Sequence, residues 1–382
     1  MNIAILGYGT VGSGVYELLA NTRAKALKNV TVTTVFSKPS EANPSCTTQN
    51  IEEVLADDSI KVVVEALGGL HPAYEYITRA LQEKKHVITA NKAVVAAHLE
   101  EFMTLAHENG VRFLFEATSG GGIPWIAALE KAKRMEDVSY FYGIFNGTSN
   151  YILDAMFQQD QSFAQALAQA QALGYAEADP ASDLNGQDVR NKVIISCAVA
   201  FDAYIDPTSI PCYGIENVQK QDMEYLKKQG LCIKYIGEGY QCDSHYEAFV
   251  MPAIVPSSSI KANVSTNYNA ISLYGESIGL LTFYGQGAGK FPTANAILQD
   301  LIDIVENPQK SSPPFCSTLP YLAEQKNRYL IRSGINISSP FIEKEEEGYV
   351  YTKNITANEL KAFVDSYQDP ALFVAKFSSF KE

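Results

Sequence analysis

The sequence predicts an α/β chain. A doubly wound parallel sheet comes first, an α+β region follows, and a small α+β unit closes the C-terminus. Three observations carry that reading. The first third holds continuous apolar, β-branched runs separated by helix-like stretches, the pattern of a parallel sheet covered on both faces. After Pro124 the strand-like segments alternate instead, as in an antiparallel sheet. The chain has 382 residues, too many for one compact core, so two or three domains are expected.

Asn2-Ile3-Ala4-Ile5-Leu6 begins the fold at once, with no basic, cleavable leader ahead of it. A Gly-rich turn leads into a helix from Val11 to Leu19, and a second strand runs from Val30 to Phe36. Val62 to Ala66, Val87 to Thr89 and Arg112 to Phe115 are further apolar runs. Beyond Pro124 come a helix from Trp125 to Arg134, a strand from Val138 to Ile144 and an Ala/Gln-rich helix from Ser162 to Leu173. Leu231 to Ile236, Tyr246 to Val250 and Leu280 to Tyr284 read as strands. Pro292 to Val305 is an amphipathic helix with proline at its start, expected to return to the first domain. Asn307 to Pro314 reads as a linker. The remainder has strands at Arg328–Arg332, Tyr349–Tyr351 and Leu372–Ala375 and a helix at Ala357–Ser366, with a modest core of its own. The expected domains are 1–125 with 290–310 returning to it, then 126–289, then 315–382.

Composition narrows the function classes. A formal net charge of -13 leaves no basic stripe to neutralise phosphates, which argues against nucleic acid as a partner. The six cysteines are scattered, without a CxxC pair or ligand-like spacing to histidine, which fits a reducing cytosol. No apolar run approaches the ~18 residues that span a bilayer. The expectation is a cytoplasmic protein without membrane segments.

Gly7-Tyr8-Gly9-Thr10-Val11-Gly12 fits the dinucleotide fingerprint, and it follows a strand and opens a helix as that fingerprint requires. The first domain is therefore of the Rossmann type. Gly7 permits the tight turn, Gly9 lets a pyrophosphate approach, and Gly12 lets helix and strand pack closely. Thr10 and Val11 then stand at a helix N-terminus, where free N–H groups favour phosphate. Gly68, past the strand ending at Ala66, is counted with these cofactor contacts. An acid at the end of the second strand would select NAD. The chain instead reads Val35-Phe36-Ser37-Lys38-Pro39-Ser40, with no acid until Glu41, so NADP is preferred and NAD stays possible. Lys38 is the candidate for a 2′-phosphate; an ordinary exposed lysine is the alternative.

The chemistry is densest from Gly174 to Lys192, where Glu177, Asp179, Asp183, Asp188 and Lys192 run straight into the apolar stretch Val193 to Phe201. A helix apolar nearly all round is normally buried, and buried charges are costly unless paired or used. Asn185-Gly186 is a turn, so the helix starts near Gln187 and sets Asp188 and Lys192 on one face four residues apart. A surface ion pair is the alternative, but the apolar continuation argues against it. A nearby carboxylate favours the ammonium and burial disfavours it, so Lys192 can act as acid or base in a hydride transfer at carbonyl carbon. Glu177 and Asp183 suit hydrogen bonds from a substrate ammonium or hydroxyl, and Asp179-Pro180 shapes the turn.

Thr89-Ala90-Asn91-Lys92 closes a strand, where ligands lie in open α/β sheets, which favours Lys92 as a ligand contact; a salt-bridge partner in a connecting loop is the alternative. Glu116-Ala117-Thr118-Ser119-Gly120-Gly121-Gly122-Ile123-Pro124 puts a carboxylate beside a loop of carbonyls that suit a hard cation, or serves as a flexible turn.

Together these residues resemble the homoserine dehydrogenase family. Gly174-Tyr175-Ala176-Glu177-Ala178-Asp179-Pro180 with Asp183, Gly186, Asp188 and Lys192 is similar to its signature. Thr89 to Lys92, Glu116-Ala117-Thr118, Gly143 to Leu153 and Gly285-Gln286-Gly287-Ala288-Gly289 are similar to its other landmarks, over about residues 1–310. The resemblance implies NAD(P)-dependent interconversion of L-homoserine and L-aspartate 4-semialdehyde on the route to threonine and methionine. It makes Lys192 the proton donor, with Asp188 and Lys92 beside it as catalytic positions. Glu177, Asp183 and Asp188 become substrate contacts, and Gly174 and Gly289 cofactor contacts. A sodium ion is implied at the Glu116 side chain and the carbonyls of Ser119, Gly121 and Ile123, and a homodimer or homotetramer is implied through the catalytic-domain sheet.

Two departures stand out. Many members end in an ACT domain of βαββαβ order that senses threonine, but Ser333 to Pro340 is too short for its first helix. The C-terminal unit is therefore expected to be a reduced ACT-like one with weak or absent threonine feedback. Ser119 stands where the family more often has an apolar residue. The competing readings are another two-domain NADP oxidoreductase and a redox sensor without turnover. An aspartate-semialdehyde dehydrogenase needs a reactive cysteine paired with histidine, and Cys197 has no histidine near it in sequence.

Overall fold

The computed structural model describes residues 1–40 and 43–378, so Glu41, the first acid after the second strand, lies outside the described residues. The chain forms two compact units, one of Met1–Arg134, Ala198–Tyr204 and Gly285–Thr318, the other of Met135–Cys197, Ile205–Tyr284 and Leu319–Glu382.

The first unit opens with β1 (Asn2–Leu6), α1 (Thr10–Ala20), β2 (Thr31–Phe36), β3 (Thr47–Thr48) and α2 (Glu52–Leu55). β4 (Ile60–Glu65), α3 (Ala73–Gln82), β5 (His86–Thr89), α4 (Lys92–Glu108), β6 (Phe113–Leu114) and α5 (Trp125–Ala132) follow. The strands make one sheet in the order β3-β2-β1-β4-β5-β6, every neighbour parallel. The chain leaves β1 in one direction and returns to its other side at β4, which creates the crevice where such sheets bind ligands. Ile3, Ile5, Val62 and Val64 are fully buried, as their apolar runs require, and the helix Lys290–Glu306 adds Ile297 and Leu301 to the same core. The strand read over Arg112 to Phe115 pairs only at Phe113 and Leu114, because the chain turns into a 3-10 segment at Glu116–Thr118.

The chain continues through β7 (Tyr140–Ile144), α6 (Gly147–Gln158), α7 (Phe163–Ala172), α8 (Ala181–Leu184), α9 (Gln187–Phe201), β8 (Ala203–Tyr204) and α10 (Lys220–Lys227). Four strands follow: β9 (Leu231–Cys242), β10 (His245–Pro256), β11 (Tyr268–Gly275) and β12 (Gly279–Gln286). The last elements are α11 (Lys290–Glu306), β13 (Ser317–Thr318), β14 (Tyr329–Arg332), β15 (Ile342–Glu346), β16 (Tyr349–Thr352), α12 (Ala357–Tyr367) and β17 (Phe373–Phe377).

Nine of these strands form one sheet in the order β12-β11-β7-β9-β10-β17-β14-β16-β15. β9 and β10 are each 12 residues long, well beyond the segments their alternation predicts. The extension is possible because the buried Glu238 is paired with Lys376 at 2.7 Å. β11 and α6 are not expected from the pattern. Ser272 in β11 meets Thr282 of β12 at 2.8 Å, which satisfies a polar residue in a buried strand. The weak helix formers at the start of α6 are held by Asn146, which accepts from Ser149 N, and by Asn150, which donates to the carbonyls of Val264, Thr266 and Tyr268.

The C-terminal segment is not set apart with a core of its own. β17 pairs parallel with β10, and Phe249 and Met251 of β10 share a cluster with Tyr329, Ile331, Leu360 and Phe363. Within the segment the strands lie fourth, first, third, second, with antiparallel neighbours and one helix, α12.

Candidate active site

The first unit builds a phosphate cradle from its opening turn. Gly7 has a φ of +96°, and a Cβ on Gly12 would run into the Gly7 carbonyl, so β1 and α1 approach more closely than any side chain allows. No side chain caps α1 and no acid stands in its first turn. The N–H groups of Thr10, Val11 and Gly12 therefore face outward for an anion. A cavity of about 830 Å³ opens there, lined by Gly7, Gly9, Ser13, Ser37, Lys38 and Gly68 among others, within the range of cofactor sites. Among the described residues that line it there is no acid.

The neighbouring strand ends are tied by a polar network. The buried Glu65 accepts from Thr89 Oγ1 at 2.5 Å and from Leu67 N at 2.7 Å. Asn91 donates to the Gly69 carbonyl at 2.6 Å and caps α4 through Val94 N. Burial pushes the Glu65 carboxyl up, against hydrogen bonds from Thr89 and the backbone. The network fixes the turn carrying Gly68 and sets Lys92, half-buried, as the first residue of α4. The sequence pattern does not single out Glu65; an acid ending the run Val62-Val63-Val64 is the signal that marks it.

Glu116 lies buried against the start of α5, where its oxygens accept from Ile126 N at 3.0 Å and Ala127 N at 2.7 Å. Burial pushes its carboxyl up to about 7. Ser119 is fully buried with its hydroxyl unpartnered, Gly121 has a φ of +57°, and the Ile123 carbonyl accepts from Trp125 N. Among the described residues no cluster of three or more His, Cys, Asp or Glu could cage a metal ion. What Glu116 and the loop offer is one carboxylate, with about four acceptor sites on its two oxygens, plus carbonyls. Gly289, with a φ of +129°, caps α11 in this unit.

The second unit holds the charged constellation. α9 begins at Gln187, so Asp188 falls in its first turn and Lys192 one turn on. Gly186, at φ +87°, leaves no space for a Cβ against the Tyr235 hydroxyl, which fixes the entry to α9. Lys192 is 7% exposed and Asp188 4%; Lys192 Nζ donates to Asp188 Oδ2 at 2.7 Å and to the Phe145 carbonyl at 2.7 Å. Asn146, the next residue along, donates to Asp183 Oδ1 at 2.7 Å and to Asp188 Oδ2 at 2.8 Å. One hydrogen-bonded chain thus joins Lys192, Asp188, Asn146 and Asp183. Burial raises the Asp183 carboxyl, the Asp188 charge adds to that, and hydrogen bonds from Asn146 and Thr148 oppose it.

Glu177 and Gly174 lie outside this chain, on the exposed stretch after α7, where Gln171 donates to the Glu177 carbonyl at 3.1 Å. Asp179 accepts from Ala181 N at 3.2 Å, the turn-shaping contact its Asp-Pro setting implies. Asn146 is the second residue the pattern leaves without a role. Burial drives the Cys197 thiol well above its usual range, so it supplies no nucleophile.

The first unit is thus a dinucleotide-binding domain, and the class it defines is that of the nicotinamide-dependent oxidoreductases. Family models match in both halves of the chain: residues 7–116 the NAD-binding domain of homoserine dehydrogenase, and residues 124–302 homoserine dehydrogenase itself. The homoserine dehydrogenase of Synechocystis is 37% identical over 80% of this chain and 73% of its own length. That of Pseudomonas aeruginosa is 36% identical over 85% and 76%. The solved homoserine dehydrogenase of Thiobacillus denitrificans superposes with a TM-score of 0.89 at 28% identity, over 99% of this chain and 98% of that one. The Staphylococcus aureus structure gives 0.79 at 30% identity, over 100% and 99%. The chain belongs to the homoserine dehydrogenase family. Its reaction is the reversible reduction of L-aspartate 4-semialdehyde to L-homoserine with a nicotinamide cofactor. Among the described residues no helix is long and apolar enough to cross a membrane.

Proposed function

We propose that this dehydrogenase prefers NADP to NAD and moves its proton through Lys192. The hydrogen-bonded chain from Lys192 through Asp188 and Asn146 to Asp183 carries the second part of that reading. A bound nicotinamide supplies the hydride to the aldehyde carbon and takes it back in the reverse direction. Lys192 Nζ, held as an ammonium by Asp188, donates the proton that the developing alkoxide needs, and as the free amine it removes that proton from homoserine. Asp183 and Asp188 hold the substrate's polar groups from one side, with Glu177 contributing from the exposed stretch. Lys92, at the start of α4, would contact the nicotinamide half of the cofactor once it is bound.

The NADP preference is supported by Ser37 and Lys38 in a cavity whose described lining has no acid. Gly7, Gly9, Thr10, Val11, Gly12 and Gly68 take the phosphates, with Gly174 and Gly289 as further contacts. A sodium ion is proposed at Glu116 with the carbonyls of Ser119, Gly121 and Ile123, a reading supported by a buried carboxylate beside a carbonyl-rich turn. The protein acts in the cytoplasm as a homodimer or homotetramer. Its last segment is a reduced ACT-like unit, a reading supported by the strand order fourth, first, third, second and the lack of a helix between β14 and β15. The test is absorbance at the nicotinamide band with L-homoserine, comparing NADP and NAD. Turnover favouring NADP supports the cofactor reading; equal or better turnover with NAD overturns it.

A further inference from the structure

The loop between β4 and α3 lines the dinucleotide cavity that Lys38 also lines, and His71 is the titratable side chain it contributes there. His71 and Lys38 line the same cavity, together with Ser37, Ser40, Pro72 and Tyr76. α3, which follows the loop, is held against the end of β2 by the rings of Tyr76 and Phe36, 5.5 Å apart and edge-to-face. His71 and the Ser37–Ser40 turn at the end of β2 therefore line one cavity. The imidazole is oriented from behind: its Nδ1 lies 2.7 Å from Glu75 Oε1, in the first turn of α3. A carboxylate only accepts, so Nδ1 carries the hydrogen and Nε2 is left for a ligand, the arrangement in which a carboxylate sets the tautomer of a functional histidine. His71 is exposed, as a ligand contact must be before its ligand arrives.

We infer that His71 is a second reader of the cofactor's 2′-phosphate, reaching it from the β4–α3 loop, so that two basic side chains on separate elements discriminate NADP from NAD. This rests on the NADP reading above. A phosphate dianion between the two draws a proton onto Nε2 and turns the contact into a charge-assisted hydrogen bond, stronger than a neutral one. Glu75 fixes the ring for that contact, and a ribose bearing only a hydroxyl gains little from it.

Calorimetric titration of the full-length protein with 2′,5′-ADP and 5′-AMP separates the possibilities, because the two probes differ only in the 2′-phosphate. Wild type is expected to bind 2′,5′-ADP more tightly. His71→Gln should weaken 2′,5′-ADP by about tenfold and leave 5′-AMP unchanged, the retained 5′-AMP binding showing that the fold is intact. Equal loss for both probes would mean that His71 reads the adenosine and not the phosphate, which overturns the inference. So would undiminished preference for 2′,5′-ADP in His71→Gln. If wild type itself shows no preference between the probes, the NADP reading fails first, and that result is distinct from the other two.

Discussion

Replacing Asp188 by asparagine keeps the shape of the buried cluster and removes one charge. In the native protein Asp188 Oδ2 receives hydrogen bonds from Lys192 Nζ at 2.7 Å and Asn146 Nδ2 at 2.8 Å, in surroundings where Asp188 is 4% exposed. Unit charges at that separation attract by about 6 kcal/mol at an effective dielectric of ~20. Breaking a buried pair by removing one partner costs about 3–5 kcal/mol. The ammonium form of Lys192 loses the anion that faces it. The assay is kcat/KM for homoserine oxidation measured across pH for wild type and Asp188→Asn. The limb reporting deprotonation of Lys192 should move toward acid, and kcat/KM on the plateau above that limb should fall by roughly 100-fold, since a substrate contact is lost. A limb that stays in place, with activity within about threefold of wild type, would refute the pairing of Asp188 with a proton-transferring Lys192.

Asn146→Ala removes the bridge between Asp183 and Asp188 and leaves two carboxylates facing each other, so kcat/KM for homoserine should drop by about tenfold or more while KM for the cofactor holds steady; steady-state kinetics on both substrates checks it. His86 is buried and accepts from Arg112 N at 3.0 Å, and burial followed by the Arg112 charge lowers it from 6.5 to about 4. The unfolded chain therefore binds more protons between those values, and stability falls as pH drops from 6.5 toward 4, by about 2 kcal/mol at pH 5. Urea titrations at pH 7.5 and pH 5 should show that loss in wild type and a smaller one in His86→Gln. Millimolar threonine should leave activity unchanged, because the segment from Ser333 to Pro340 has no helix to complete an effector fold; inhibition in the standard assay would count against this.

The parts of the fold legible in the sequence are those whose physics is local. The Gly7 turn is readable because φ +96° and the close approach at Gly12 are demands only glycine meets. Asp188 and Lys192 are readable because helical spacing alone puts them on one face. Glu65 and Asn146 are not, since their partners lie 24 and 37 residues away, at Thr89 and Asp183. Distant pairing also hid the C-terminal arrangement. β17 joins β10 through Ala253 and Lys376, and the Lys376 charge is tolerable in a strand only because Glu238 of β9 meets it. Likewise β11 carries Ser272 into a sheet interior where Thr282 answers it, a match no alternation pattern reveals.

Proton transfer through Lys192 is tested most directly by Lys192→Ala, assayed for homoserine oxidation at the nicotinamide band while cofactor binding is followed separately by calorimetry. Turnover should fall by about 10²–10⁴, the range for a lost general acid or base, with cofactor affinity retained and the pH limb assigned to Lys192 gone. Wild-type turnover in that variant would contradict the role given to Lys192.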